Sequence, residues 1–201
     1  SGTGASIGPL AKDEEVIAQT AQMAGFDGKA FAINGPPALC VITSHLNAFD
    51  LLPELVVSGI NPGLNTGRAT LHSGTVSAAM TAQNFGSKGI AVSIDSAGDN
   101  APEHWDSAAE YVAKLLPYIA TASPKTVLNL SVPDIPLESI RGLKWARLAP
   151  FGSKRSALQV EADGKLIFGL IDTEYAPDEE TDLGLIKSGF AAVSELSGIA
   201  A

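Results

Sequence analysis

Asn61 and the triplet Ser73-Gly74-Thr75 are the residues of this chain best suited by type and spacing to handle an anion. Both lie in the stretch SGINPGLNTGRATLHSGTVSAAM, Ser58 to Met80. Leu55 to Val57 read as the interior of a strand, and Ser58, Gly59, Ile60 and Asn61 as its carboxyl end. Ligands of open α/β sheets bind just beyond that end of the strands. Ser73-Gly74-Thr75 reads as the start of a helix, where unpaired N–H groups and the positive end of the helix dipole favour negative charge. Gly74 lets an oxyanion approach the backbone, and a hydroxyl stands on each side of it, which is the composition of a phosphate cradle. The same residues would serve a plain structural purpose as an N-cap and turn glycines. Their combination with Asn61, across a loop longer than the roughly 2–6 residues of an ordinary connection, favours a site. The segment has neither the G-x-G-x-x-G spacing of a dinucleotide fold nor the Gly-Lys-Ser/Thr of a P-loop.

Other reactive side chains are sparse. The single Cys40 excludes an intramolecular disulfide, fits a reducing cytosol, and is expected to be a small buried hydrophobe. His45, His72 and His104 show no metal-ligand spacing, which disfavours zinc. Asp95 and Asp99 follow a strand and have the types expected of turn residues, with a charged role in the site as the alternative.

The elements that must position these groups follow from the apolar pattern. The 201 residues suffice for one sizeable core; 45% are hydrophobic and 17% charged. A net charge of −9 argues against binding a nucleic-acid polymer and leaves room for a small phosphorylated ligand in a local pocket. No apolar run reaches the roughly 18–20 residues that span a bilayer, and no secretory signal is visible, so a cytoplasmic location is expected. The opening SGTGASIGPL has no initiator Met and reads as a loop from within a protein.

Residues 11–24 have helical propensity with a strand as the alternative, and Lys29 to Ile33 read as a strand. A helix follows Pro36-Pro37 with the stripe Leu39, Ile42, Leu46. PELVVSGI and GIAVSI read as buried strands, SGTVSAAMTAQNFG as a helix ended by Gly86, and KTVLNLSV as a further strand. Between them lies a long amphipathic helix that Pro117 is expected to kink or shorten. This alternation implies an α/β fold: a mostly parallel sheet with helices on both faces. The core is assigned to residues 1–133 and an appendage to 134–201. The appendage holds a hairpin turning at Asp163-Gly164, then a capped segment and a final strand. Hairpins and terminal segments of this kind pair between subunits, so a homodimer or homotetramer is expected.

The central stretch resembles the signature of the SurE family of survival proteins, S-G-I-N-x-G-x-N-x-G followed by S-G-T-V-x-A-A-M, letter for letter. NGPPALCV, GIAVSID, LNLSVPDIP and TDLGLIKSGFAAVSEL are similar to further family segments in the same order, with Pro36 and Leu39 as departures. The resemblance covers nearly the whole chain. It implies a Rossmann-like core and a metal-dependent phosphatase acting on nucleoside 5′- or 3′-monophosphates, with Mg²⁺ or Mn²⁺ as cofactor. It assigns phosphate binding to Gly59, Asn61, Ser73, Gly74 and Thr75, catalytic roles to Asn61 and Ser73, and metal ligation to Ser1 and Asn61. His72 stands where the family has a tyrosine, with substrate contact and a packing or rim role as the alternatives. The family's paired aspartates are expected upstream of Ser1. Ser1 and Asn61 alone give a hard cation only neutral oxygens, whereas such ions usually take one or two carboxylates. A chain of these residues alone is therefore expected to bind metal weakly and to show little phosphatase activity. The alternative is a non-catalytic protein that binds phosphate ligands or assembles with partners.

Overall fold

A computed structural model describes residues 15–96, 102–161, 163–174 and 176–197. Its centre is a five-stranded sheet of β3 (Leu55–Pro62), β4 (Lys88–Ile94), β5 (Val127–Val132), β6 (Leu143–Trp145) and β9 (Ala191–Leu196), in the order β3-β4-β5-β9-β6. β3, β4 and β5 run parallel; β9 is antiparallel to β5 and parallel to β6. This is the mixed, mostly parallel sheet expected, flanked by helices.

Alternation along β4 and β5 decides what each face carries. Ile90, Val92, Ile94, Leu128, Leu130 and Val132 point to one face and pack against Tyr111, Leu115 and Ile119 of α3 (Trp105–Thr121). On the other face Ala91 and Val127 meet Val76 and Ala79 of α2 (Gly74–Asn84). α1 (Pro37–His45) packs on α2 through Val41, Ala78 and Ala82. α3 passes through Pro117 and runs on to Thr121, so the proline does not shorten it. Pro117 is exposed, and the buried stripe on the opposite side holds both halves of the helix to the sheet.

Three further expectations are corrected. β3 is an edge strand among the described strands, not a buried one, and Val57 is 46% exposed because only β4 pairs with it. Cys40 is exposed, since α1 turns Ala38, Leu39 and Val41 inward and Cys40 away. Leu46 is 70% exposed because α1 ends at His45, so the buried stripe stops before it.

The C-terminal third is not an appendage throughout. β6 and β9 belong to the main sheet, and α4 (Asp182–Lys187), capped by Thr181 on the Gly184 N–H at 3.2 Å, packs on β9. Only the hairpin of β7 (Lys154–Val160) and β8 (Leu166–Asp172) stands apart as its own two-stranded sheet. Its turn lies at Asp163-Gly164, with Glu161 N–H bonded to Lys165 O at 2.9 Å, one step wider than a two-residue turn. In the N-terminal part β1 (Ala18–Ala21), a strand where helical propensity also stood, pairs with β2 (Ala30–Ile33); residues 11–14 lie outside the described residues.

Candidate functional site

The site begins with an irregularity in β4 and β5. Both are apolar strands, yet on the α2 face they carry Ser93, Asn129 and Ser131, all buried. α2 covers only the alanine and valine end of that face. The loop after β3 covers the polar end: Asn65 N–H donates to Ser93 Oγ at 3.3 Å, and Asn129 Nδ2 donates to Asn65 O at 2.9 Å. Gly63 N–H bonds to Ile94 O at 2.9 Å and keeps the loop beside the end of β4.

A 3-10 turn, Gly67–His72, then carries the chain into α2, closed by Thr70 Oγ1 donating to Gly67 O at 2.8 Å. Ser73 ends that turn and begins the helix. Its N–H reaches Thr70 O at 3.3 Å, and its Oγ accepts the Val76 N–H at 3.1 Å. The hydroxyl hydrogen of Ser73 is thus free to be given to an acceptor. Gly74 and Thr75, half-buried, occupy the first turn of α2, where N–H groups have no acceptor within the helix.

Ser73 opens onto a cavity of about 580 Å³ beyond the carboxyl ends of β3 and β4, lined also by Asn61, Asn65 and His72 together with Arg68, Asp95, Phe151 and Lys154. Asn61 donates through Nδ2 to Gly63 O at 2.7 Å and to Pro62 O at 3.4 Å, which leaves Oδ1 as an available acceptor. Asn65 is buried, and its Nδ2 has no partner among the described residues, so it is a donor in want of an acceptor at the cavity wall. Arg68 lies over the Phe151 ring, 5.6 Å from its centre. Arg68 and Lys154 bring positive charge to the cavity beside the carboxylate of Asp95, and Lys154 is also paired with Asp172 at 3.1 Å. Partial burial pushes the Asp95 carboxyl up and nearby Asp134 adds to this, while the Ser96 N–H at 2.9 Å and Lys154 offset it.

The structure therefore brings Asn61, His72 and Ser73 into one cavity, with Gly74 and Thr75 following Ser73 into the helix. It does not bring Gly59 there. Gly59 lines a separate groove with Cys40 and Val41, and at its φ of 138° a Cβ would stand 2.5 Å from Val92 O, so packing on β4 explains this glycine. Ser1 and Asp99 lie outside the described residues. For a hard divalent cation, the Asn61 amide oxygen and the Asp95 carboxylate are ligands of the right kind. Among the described residues no three His, Cys, Asp or Glu side chains gather as a metal cluster, so these two would be part of such a site. Asn65, Arg68, Phe151 and Lys154 were missed as site residues. Asn65 and Arg68 sit within the signature stretch itself, whereas Phe151 and Lys154 come from the segment after β6 and carry no local signal.

A helix start, a strand-end asparagine and basic side chains line one cavity at the mouth of a mostly parallel sheet in an α/β protein. The family profile described as "Survival protein SurE" matches residues 1–154. The chain belongs to the SurE family. A 5′-nucleotidase SurE of Actinobacillus succinogenes is 37% identical over 178 residues, covering 85% of this chain and 69% of the relative. Another, of Mannheimia succiniciproducens, is 34% identical over 175 residues with the same coverage, 85% and 69%. The crystal structure of a SurE protein from Aquifex aeolicus superimposes with a TM-score of 0.72 at 26% identity, covering 93% of this chain and 75% of that one.

Proposed function

We propose that this protein is a metal-dependent phosphatase that hydrolyses nucleoside monophosphates. Its likeness to proteins named 5′-nucleotidase supports a phosphoric monoester hydrolase. The observation that carries the reading is the start of α2: Ser73, its hydroxyl hydrogen unspent, lines the cavity that also holds Asn61 and the unpartnered Asn65 Nδ2. Phosphate oxygens would take the N–H groups of Gly74 and Thr75, the Ser73 O–H and the Asn65 amide. Arg68 and Lys154 offset the dianion's charge, and the helix dipole adds to this. These donors are fixed before substrate arrives, so they stabilise the charge that grows on the phosphoryl oxygens as the ester bond breaks. Water adds to phosphorus, the bond to the alcohol oxygen breaks, and inorganic phosphate and the nucleoside leave. Asn61 Oδ1 would help hold a divalent cation such as Mg²⁺ or Mn²⁺, which when bound supplies Lewis-acid polarisation of the phosphoryl group.

The test is phosphate release from nucleoside 5′- and 3′-monophosphates, with and without a chelator, by the protein expressed from its full reading frame and by these 201 residues alone, for which little release is expected. Release that EDTA abolishes and Mg²⁺ or Mn²⁺ restores is the expected result; binding without release would leave a ligand-binding protein instead. Ser73→Ala should weaken inorganic phosphate binding by about 1.5–3 kcal/mol, the range for a hydrogen bond to a charged group.

A homodimer or homotetramer built through the hairpin is part of the same reading. Register pairs Leu158 with Phe168 and Val160 with Leu166, so these four share one face of a two-stranded sheet, and Phe168 is 72% exposed. An isolated hairpin of this kind is marginal in water. Light scattering at micromolar concentration should report at least a dimer, and Phe168→Asp should shift it toward monomer. A monomer in both cases would remove the idea. A cytoplasmic location is inferred with it from the free thiol; no described helix is long and apolar enough to cross a membrane.

A further inference from the structure

Asp182 is a carboxylate only 1% exposed, and it forms no ion pair among the described residues. Burial pushes its carboxyl up, and backbone N–H groups offset that in part. Its Oδ2 accepts the Gly67 N–H at 2.8 Å, and its Oδ1 accepts the Ala149 and Leu183 N–H groups, each at 2.8 Å. Gly67 opens the 3-10 turn that carries Arg68 and His72 to the cavity. Ala149 opens the segment that carries Phe151 and Lys154 to the same cavity. One carboxylate thus holds one cavity wall with each oxygen.

The walls meet backbone to backbone just there. A Cβ on Gly67 would stand 2.5 Å from Phe151 O, and one on Gly152 would stand 2.9 Å from Thr66 O. Asp182 is itself fixed, its N–H bonding to Arg147 O at 2.9 Å. The phosphate end of the cavity does not depend on this clamp. α2 is capped by its own Ser73 and packed on Ala91 and Val127.

We propose that Asp182 is a positioning residue that sets the spacing of the two walls, and that the slot so formed receives the nucleoside part of the substrate against the Arg68–Phe151 pair. This rests on the nucleotidase reading. Phe151 is 46% exposed, and a planar base would pack against the ring and guanidinium surface that it and Arg68 together present to the cavity. Stacking is tolerant of base identity, so the slot predicts weak discrimination among bases. Asp182→Asn keeps the shape but turns an amide N–H₂ toward a backbone N–H, which releases one wall.

The experiment is calorimetric binding of a nucleoside monophosphate and of inorganic phosphate to the full chain and to Asp182→Asn. The expected result is that nucleotide binding weakens about tenfold, the size of one stacked base, while phosphate binding changes less than about twofold. Equal losses for both ligands, or no loss for either, would overturn the proposal. Should Asp182→Asn fail to fold by circular dichroism, Phe151→Ala decides instead. Its uncharged ring is on the cavity surface, and loss of nucleotide affinity with phosphate affinity kept supports the slot, while unchanged nucleotide affinity or equal loss of both removes it. Binding separates the two readings: a protein that binds nucleotide through the slot and never releases phosphate refutes the phosphatase and leaves the positioning role standing.

Discussion

In the protein expressed from its full reading frame, Asn61→Ala is expected to lower turnover of a nucleoside monophosphate by about 10²-fold or more, the size of losing one group that stabilises the transition state. The change removes the Oδ1 acceptor from the cavity. It also removes the Nδ2 bonds to Gly63 O and Pro62 O, at 2.7 and 3.4 Å. Those are local bonds at the end of an edge strand, so the fold should survive with a loss of about 0.5–1.5 kcal/mol. Two measurements check the prediction together. Phosphate release should collapse while far-ultraviolet circular dichroism stays as in the parent protein. In the variant the metal concentration giving half-maximal activity should also rise, as expected for a lost oxygen ligand. Near-normal turnover in Asn61→Ala would mean that the chemistry has been placed on the wrong residue.

Gly67→Ala should be more damaging than its size suggests. Gly67 has φ of 52°, and an added Cβ would stand 2.5 Å from Phe151 O and 2.6 Å from Ala149 O. Both neighbours are backbone, so no side-chain rotation relieves the overlap. A left-handed alanine costs about 1–2 kcal/mol and overpacking about 1–3 kcal/mol more. The loss, about 2–5 kcal/mol by urea denaturation, should come with lost nucleotide binding, because Arg68 and Phe151 line the cavity on the two walls that meet at Gly67. A variant with parental stability and affinity would show that the two walls are not held as described.

The parallel part of the fold was legible because its signals are local. Apolar runs of strand length alternate with capped helical patterns, and Ser73 announces α2 by residue type alone. The candidate site was legible for the same reason: Asn61, Ser73, Gly74 and Thr75 lie in one continuous stretch, and a strand end followed by a helix start has a known geometry. What was not legible depends on contacts distant in sequence. Nothing near Asp182 signals that its carboxylate will reach Gly67, and nothing near Phe151 signals that its ring will lie under Arg68. β9 was read as part of an appendage because a final strand carries no mark of the strand it will join. Gly59 misled in the opposite direction. A glycine at a strand end suggests close approach of a ligand, and here it permits close approach of Val92 instead.

The place of β9 bears on how the chain is made. It lies between β5 and β6, both of which leave the ribosome earlier, and its pairing with β5 joins Val127 to Leu196. Until those last residues emerge, the nascent chain holds β5 with one side unpaired and β6 with no neighbour. A synthesising ribosome thus carries a half-built sheet with an open seam at its centre, at a stage when exposed strand edges invite pairing with other chains. Closing the seam requires contacts far apart in sequence, the kind that folds slowly. Sheet completion is therefore a late event that follows translation of β9, and the Asp182 clamp just upstream of that strand can only be set in the same interval. The cavity becomes functional when the sheet closes, so a prematurely terminated chain ending before β9 would carry the whole signature stretch without a working site.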